Sequence, residues 1–129
     1  MTARYRIVLA WRIQPGFLYI EPGRNIRIDL ASTLEELQRW YRLHCDGDWE
    51  HEEGIIIETL DYPGWRIRIS LRDTELESKP FQEISRLEPE HDWIRCWIEA
   101  GFFQGAGDPE KLEEILRTFL SWSESQLSS

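Results

Sequence analysis

The chain has 129 residues, 41% of them hydrophobic and 30% charged, with seven tryptophans and a formal net charge of −9. That length fits one compact domain able to bury a core, and the acidity excludes nucleic acid and anionic membrane surfaces as partners, because both are held by Lys and Arg contacts. Two cysteines, Cys45 and Cys96, are too few for a disulfide framework and lack zinc-ligand spacing, so both read as free thiols, with Cys96 in the core.

The charge is unevenly placed. Residues 1–31 carry five Arg against Glu21 and Asp29, a balance of +3, which leaves ten basic against 22 acidic groups, or −12, on residues 32–129. A basic partner is attracted and steered to such a body. The apolar run Ile7-Val8-Leu9-Ala10-Trp11 is cut off by Arg12, far short of the ~20 residues of a membrane span, and it lacks the core length and cleavage site of a signal peptide. A cytoplasmic protein is expected, with no membrane association.

In chain order, residues 5–13 alternate as a half-buried strand does, with Tyr5, Ile7, Leu9, Trp11 and Ile13 on one side. Turn signals at Pro15-Gly16 and Pro22-Gly23 flank Phe17–Ile20, and Ile26, Ile28 and Leu30 alternate again. Residues 1–31 thus form a β-prone basic extension, either a hairpin packed on the body or a loosely attached leader translated from an upstream start codon. Ser32 and Thr33 with Glu35 and Glu36 offer a capping box in either register. Leu34, Leu37, Trp40, Tyr41 and His44 then follow at spacings of three and four, which predicts an amphipathic helix with this stripe in the core, ended by Asp46-Gly47.

Strands follow. Ile55–Leu60 is β-branched, Asp61–Gly64 is a turn, and Trp65, Ile67, Ile69 and Leu71 alternate against Arg66, Arg68 and Ser70, a hairpin with one wet face. Short strands are expected at Thr74–Glu77 and within Phe81–Leu87. In Trp93–Glu99, Ile94, Cys96 and Ile98 face the core. Trp93, Arg95 and Trp97 share the other face, as a recognition ladder or as a surface covered by the N-terminal extension. Phe102–Gly107 closes the sheet; its Gly-Ala-Gly lacks both the third glycine of a dinucleotide fingerprint and a following Lys-Ser/Thr. Asp108 is expected to cap a last helix with Pro109 at its first position and with Leu112, Ile115, Leu116, Phe119 and Leu120 buried, fraying from Ser123. The fold class is α+β: an antiparallel meander of about five strands flanked by an N-terminal and a C-terminal amphipathic helix, in a single domain over residues 32–129 preceded by the extension.

The stretch Cys45–Gly54 is the densest in ionisable groups, with Asp46, Asp48, Glu50, His51, Glu52 and Glu53 around Trp49. Three chemistries compete for it. The carboxylates are numerous enough to chelate a hard cation but match no EF-hand spacing. Cys45 and His51 with a carboxylate would suit a thiol nucleophile, without any supporting motif. A small metal-binding or thiol-dependent enzyme built on residues 45–53 is therefore the alternative to a partner-binding loop, in which Cys45 and Trp49 pack between helix and sheet and the carboxylates face outward. Trp93 joins the candidate partner-binding residues from the other end of the chain.

The segments Leu34-x-x-Leu37-x-x-Trp40-Tyr41, Cys45-Asp46-Gly47-Asp48-Trp49-Glu50-His51, Leu60-Asp61-x-Pro63-Gly64-Trp65, Asp92-Trp93-Ile94-x-Cys96 and Phe103-x-Gly105-Ala106-Gly107-Asp108, in this order, resemble the immunity 53 family of bacterial polymorphic-toxin immunity proteins. The resemblance runs from about residue 33 to Trp122. It leaves residues 1–31 without a counterpart and departs at Tyr62, where the family often has Asn, a change that bears on a turn. It implies a cytoplasmic protein that binds and neutralises a cognate toxin, and it implies no catalytic site; no enzyme activity, cofactor or metal is expected. The acidic body suits a basic toxin such as a nuclease.

Overall fold

The computed structural model describes residues 32–52, 54–87 and 92–128. The expectations for residues 1–31 lie outside them, as does Glu53. The chain divides into two compact units, residues 1–36 and 37–129.

Helix α1 (Thr33–His44) starts as its capping box dictates. Glu35 N–H donates to Ser32 Oγ at 3.0 Å and Ser32 N–H donates to the Glu35 carboxylate at 2.9 Å. Its buried stripe is narrower than the spacing predicts: Leu37 and Trp40 are in the core, whereas Leu34 is 58% and Tyr41 40% exposed. The helix makes its contact along the single row Leu37, Trp40 and His44, and the flanking apolar positions stay wet. A second, short helix, α2 (Trp49–Glu52), lies within the acidic stretch that the sequence reading treats as loop.

Among the described residues one sheet is found, with strands β1 (Ile55–Leu60), β2 (Gly64–Ser70), β3 (Ile84–Leu87), β4 (Trp93–Glu99) and β5 (Phe102–Gly107), all neighbours antiparallel. The fold is α+β with helices at both ends, as expected. The strand order is β1-β2-β5-β4-β3, so the last strand enters the centre of the sheet rather than its edge. Ala100 and Gly101, both at positive φ (56° and 85°), form the tight β4–β5 connection. Thr74–Glu77 is a run of turns and not a strand. Thr74 Oγ1 donates to the Leu71 carbonyl and accepts from Leu76 N–H, and Asp73 and Ser78 sit at positive φ, so local side-chain bonds replace a ladder. Within Phe81–Leu87 only the last four residues pair, with β4.

One sheet face carries the core. Ile67, Ile69, Ile94, Cys96 and Phe103 are fully buried on it, beneath α3 (Leu112–Ser128). Gly105 is the reason α3 can lie so close, since a Cβ there would collide with Ile115. The Gly-Ala-Gly run is thus a packing device. Ile115, Leu116, Phe119 and Leu120 are buried as predicted, Leu112 is only partly buried, and Trp122 is buried as well; Phe119 meets the edge of Trp40 at 4.9 Å, joining α3 to α1. Helix α3 begins at Leu112, later than the Pro109 start expected, and continues past Ser123, which is buried rather than frayed. Asp108, 1% exposed, does not cap α3. Its carboxylate accepts Trp93 N–H and Glu110 N–H and pairs with Lys111 Nζ at 2.8 Å, which ties β4 to the turn before the helix.

Candidate partner-binding surface

The acidic stretch owes its shape to two of its own carboxylates. Asp46 Oδ1 accepts Asp48 N–H at 2.9 Å and Trp49 N–H at 3.0 Å, capping α2. Glu50 reaches back, one oxygen accepting Asp46 N–H at 2.8 Å and the other Gly47 N–H at 2.7 Å. Hydrogen bonds from Trp49 and Asp48 N–H hold the Asp46 carboxyl below its ordinary range. Those from the backbone N–H groups of Glu50, Asp46 and Gly47 together do the same for Glu50, outweighing the opposing effects of burial and of the Asp46 charge. Gly47 at φ +99° lets the chain turn between the two helices, and Gly54 N–H closes α2 on the Trp49 carbonyl.

Trp49 anchors this knot, 7% exposed. Its indole N–H donates to the Ser70 carbonyl at 3.1 Å, and its ring packs edge-on to Trp40 at 5.6 Å. The expectation that Trp49 plugs the gap between helix and sheet holds. The same expectation for Cys45 does not: Cys45 is exposed and its Sγ donates to the Tyr41 carbonyl at 3.3 Å, because it lies one residue past α1 on the outer side of the turn. Cys96, in contrast, is fully buried, and burial pushes its thiol up to about 12, which makes it inert.

With Asp46 and Glu50 engaged by backbone, Asp48, His51 and Glu52 stand exposed. Asp48 and Glu52 line a cleft of about 220 Å³ with Arg72 and Asp73 at its rim and Trp49, Ser70 and Phe102 behind. Asp73 is absent from the sequence-derived candidates because Arg72-Asp73 reads only as a turn. It sits there at a φ of +66°, a conformation that Asp tolerates better than most residues, and nothing in the local sequence signals its place beside the cleft. Trp93 is not part of this surface. It sits at the far end of β4, six residues from Glu99, the partner of Phe102, which is roughly 20 Å of strand. Trp93, Arg95 and Trp97 do share one face, with the Arg95 guanidinium 4.1 Å over the Trp97 ring. Whether the N-terminal extension covers that face concerns residues outside those described. Among the described residues no group of three His, Cys, Asp or Glu is arranged to hold a metal ion, and no helix is long and apolar enough to cross a membrane.

The sequence profile described as Immunity protein 53 matches residues 34–124. The chain belongs to the immunity protein 53 family. The matched span begins within α1 and ends within α3, so it takes in the whole sheet and the α2 knot of this immunity protein 53 family member. Comparison with curated proteins and with solved structures gives no match.

Proposed function

We propose that this protein is the cytoplasmic inhibitor of a toxin encoded beside it, and that it offers a basic toxin surface the exposed acids of α2 and the neighbouring rim, Asp48, Glu52 and Asp73, with His51 at the edge. Family membership over residues 34–124 is the observation that carries this reading. The balance of −12 on residues 32–129 supports a basic partner, and a nuclease is the toxin class this charge suits, because the inhibitor's carboxylates then compete for a surface made for phosphates. Asp46 and Glu50 contribute indirectly, by holding α2 in place, and Glu53 completes the acidic run in the sequence. The inhibitor acts by occupying a surface and requires no catalysis and no cofactor. Its working unit is residues 32–129, with residues 1–31 an extension dispensable for binding.

Co-expression tests the proposal. The adjacent toxin domain, lethal alone, should be tolerated when this chain is present, and the two should co-purify as a 1:1 complex. Loss of growth despite full expression of this chain, with no complex recovered, would remove the inhibitor reading.

A further inference from the structure

His44, in the last turn of α1, meets an acceptor at each ring nitrogen. Nδ1 lies 2.8 Å from the Trp40 carbonyl oxygen, which can only accept, so Nδ1 carries a hydrogen. Nε2 lies 2.7 Å from Glu75 Oε1. A neutral ring protonated at Nδ1 would set a bare Nε2 lone pair against a carboxylate oxygen at that distance, which is repulsive. A proton therefore lies between Nε2 and Oε1.

A helix C-terminus attracts cations, and the imidazole is tilted over Trp40, with centroids 4.1 Å apart, and lies 6.0 Å from Trp49 of α2. Burial opposes ionisation of Glu75, but hydrogen bonds from His44 and from its own backbone N–H outweigh it and hold the carboxyl below its ordinary range. Among the ionisable groups of this corner, Tyr41 on α1, Cys45 just past its end and Glu50 on α2 interact with one another. The His44 and Glu75 side chains are 13% and 34% exposed, so the pair is partly shielded from water.

We propose that His44 and Glu75 form a proton-dependent clasp fastening residues 71–79 to the end of α1, closed as an imidazolium–carboxylate pair and open once the shared proton leaves. This does not depend on the toxin-inhibitor reading. The fastened segment has no ladder of its own and is held by local turns and by the fully buried Leu76, and it carries Arg72 and Asp73 to the cleft beside α2. Both charges coexist only in a window. On the acid side the clasp weakens as Glu75, whose unfolded value is about 4.5, takes up a proton. On the alkaline side it is lost when the ring gives up its proton.

The test is nitrogen NMR of the His44 ring together with amide exchange protection at Leu76, Glu77 and Lys79, followed from about pH 5 to about pH 9. Both ring nitrogens should be protonated while the segment is protected, and protection factors should fall several-fold as the ring titrates. Glu75→Gln supplies an amide N–H that can donate to a neutral Nε2, so in that variant protection should no longer follow the ring. A singly protonated ring in the protected state, protection unmoved by the ring's titration, or the same pH dependence in Glu75→Gln would each overturn the clasp.

Discussion

Asp46 and Asp48 lie two residues apart in one acidic run and do different work. Asp46 satisfies two backbone donors at the start of α2, whereas Asp48 is exposed beside the cleft. Asp46→Ala should therefore lower the thermal midpoint while Asp48→Ala leaves it unchanged, and differential scanning calorimetry separates them. Asp46 and Glu50 have lowered carboxyl values, so their contributions are present above the unfolded carboxylate range and are lost as pH falls through their folded values. Asp108 is a deeper case. Its carboxyl is held at about 2: burial opposes ionisation, and hydrogen bonds from Lys111, Glu110 and Trp93 prevail. Its contribution is in place above about pH 4 and lost as pH falls through about 2. Asp108→Ala leaves the Trp93 and Glu110 N–H groups and the Lys111 ammonium without their shared acceptor, and should cost about 2–4 kcal/mol in urea unfolding at neutral pH.

At the scale of elements, the features legible in the sequence were those set by neighbours along the chain. The Ser32–Glu35 box announces α1, the spacing Ile115, Leu116, Phe119 and Leu120 announces the buried face of α3, and alternation through Trp65–Leu71 announces β2. What local pattern does not specify is which strands become neighbours: β5 lies between β2 and β4 because Phe103 and Gly105 pair with Ile69 and Ile67 on one side and with Ile98 and Cys96 on the other. The same limit hid α2, four residues stabilised by side-chain bonds rather than periodicity, and the turns at Thr74–Glu77, whose β-like composition yields to Thr74 bonding its own backbone. Gly105 shows what such long-range fits demand. Gly105→Ala places a methyl group against Ile115 across the α3–β5 contact and should cost about 1–3 kcal/mol, measured as a shift of the urea midpoint at unchanged slope. An unaltered midpoint would mean that α3 can move away without loss.

For the whole molecule the governing quantity is charge placement. The density of acids in Cys45–Gly54 was legible as composition, but the division between Asp46 and Glu50 on backbone donors and Asp48, His51 and Glu52 exposed depends on three-dimensional hydrogen bonding. Asp73 reaches the same cleft only through the fold, which also sets Trp93 roughly 20 Å of strand away from it. Removing residues 1–31 takes away a balance of +3 and, if those residues are dispensable, should leave toxin affinity within a few-fold in isothermal titration calorimetry. The central claim is most directly tested by stopped-flow association of the full chain with its neighbouring toxin domain at low and at physiological salt, comparing the native protein with Asp48→Lys/Glu52→Lys. A tight 1:1 complex whose association slows roughly 10-fold or more in the charge-reversed variant, with the difference shrinking as salt rises, is the predicted result. Native association that ignores both salt and the reversal would contradict the acidic face as the docking surface, and absence of any complex would contradict the inhibitor itself.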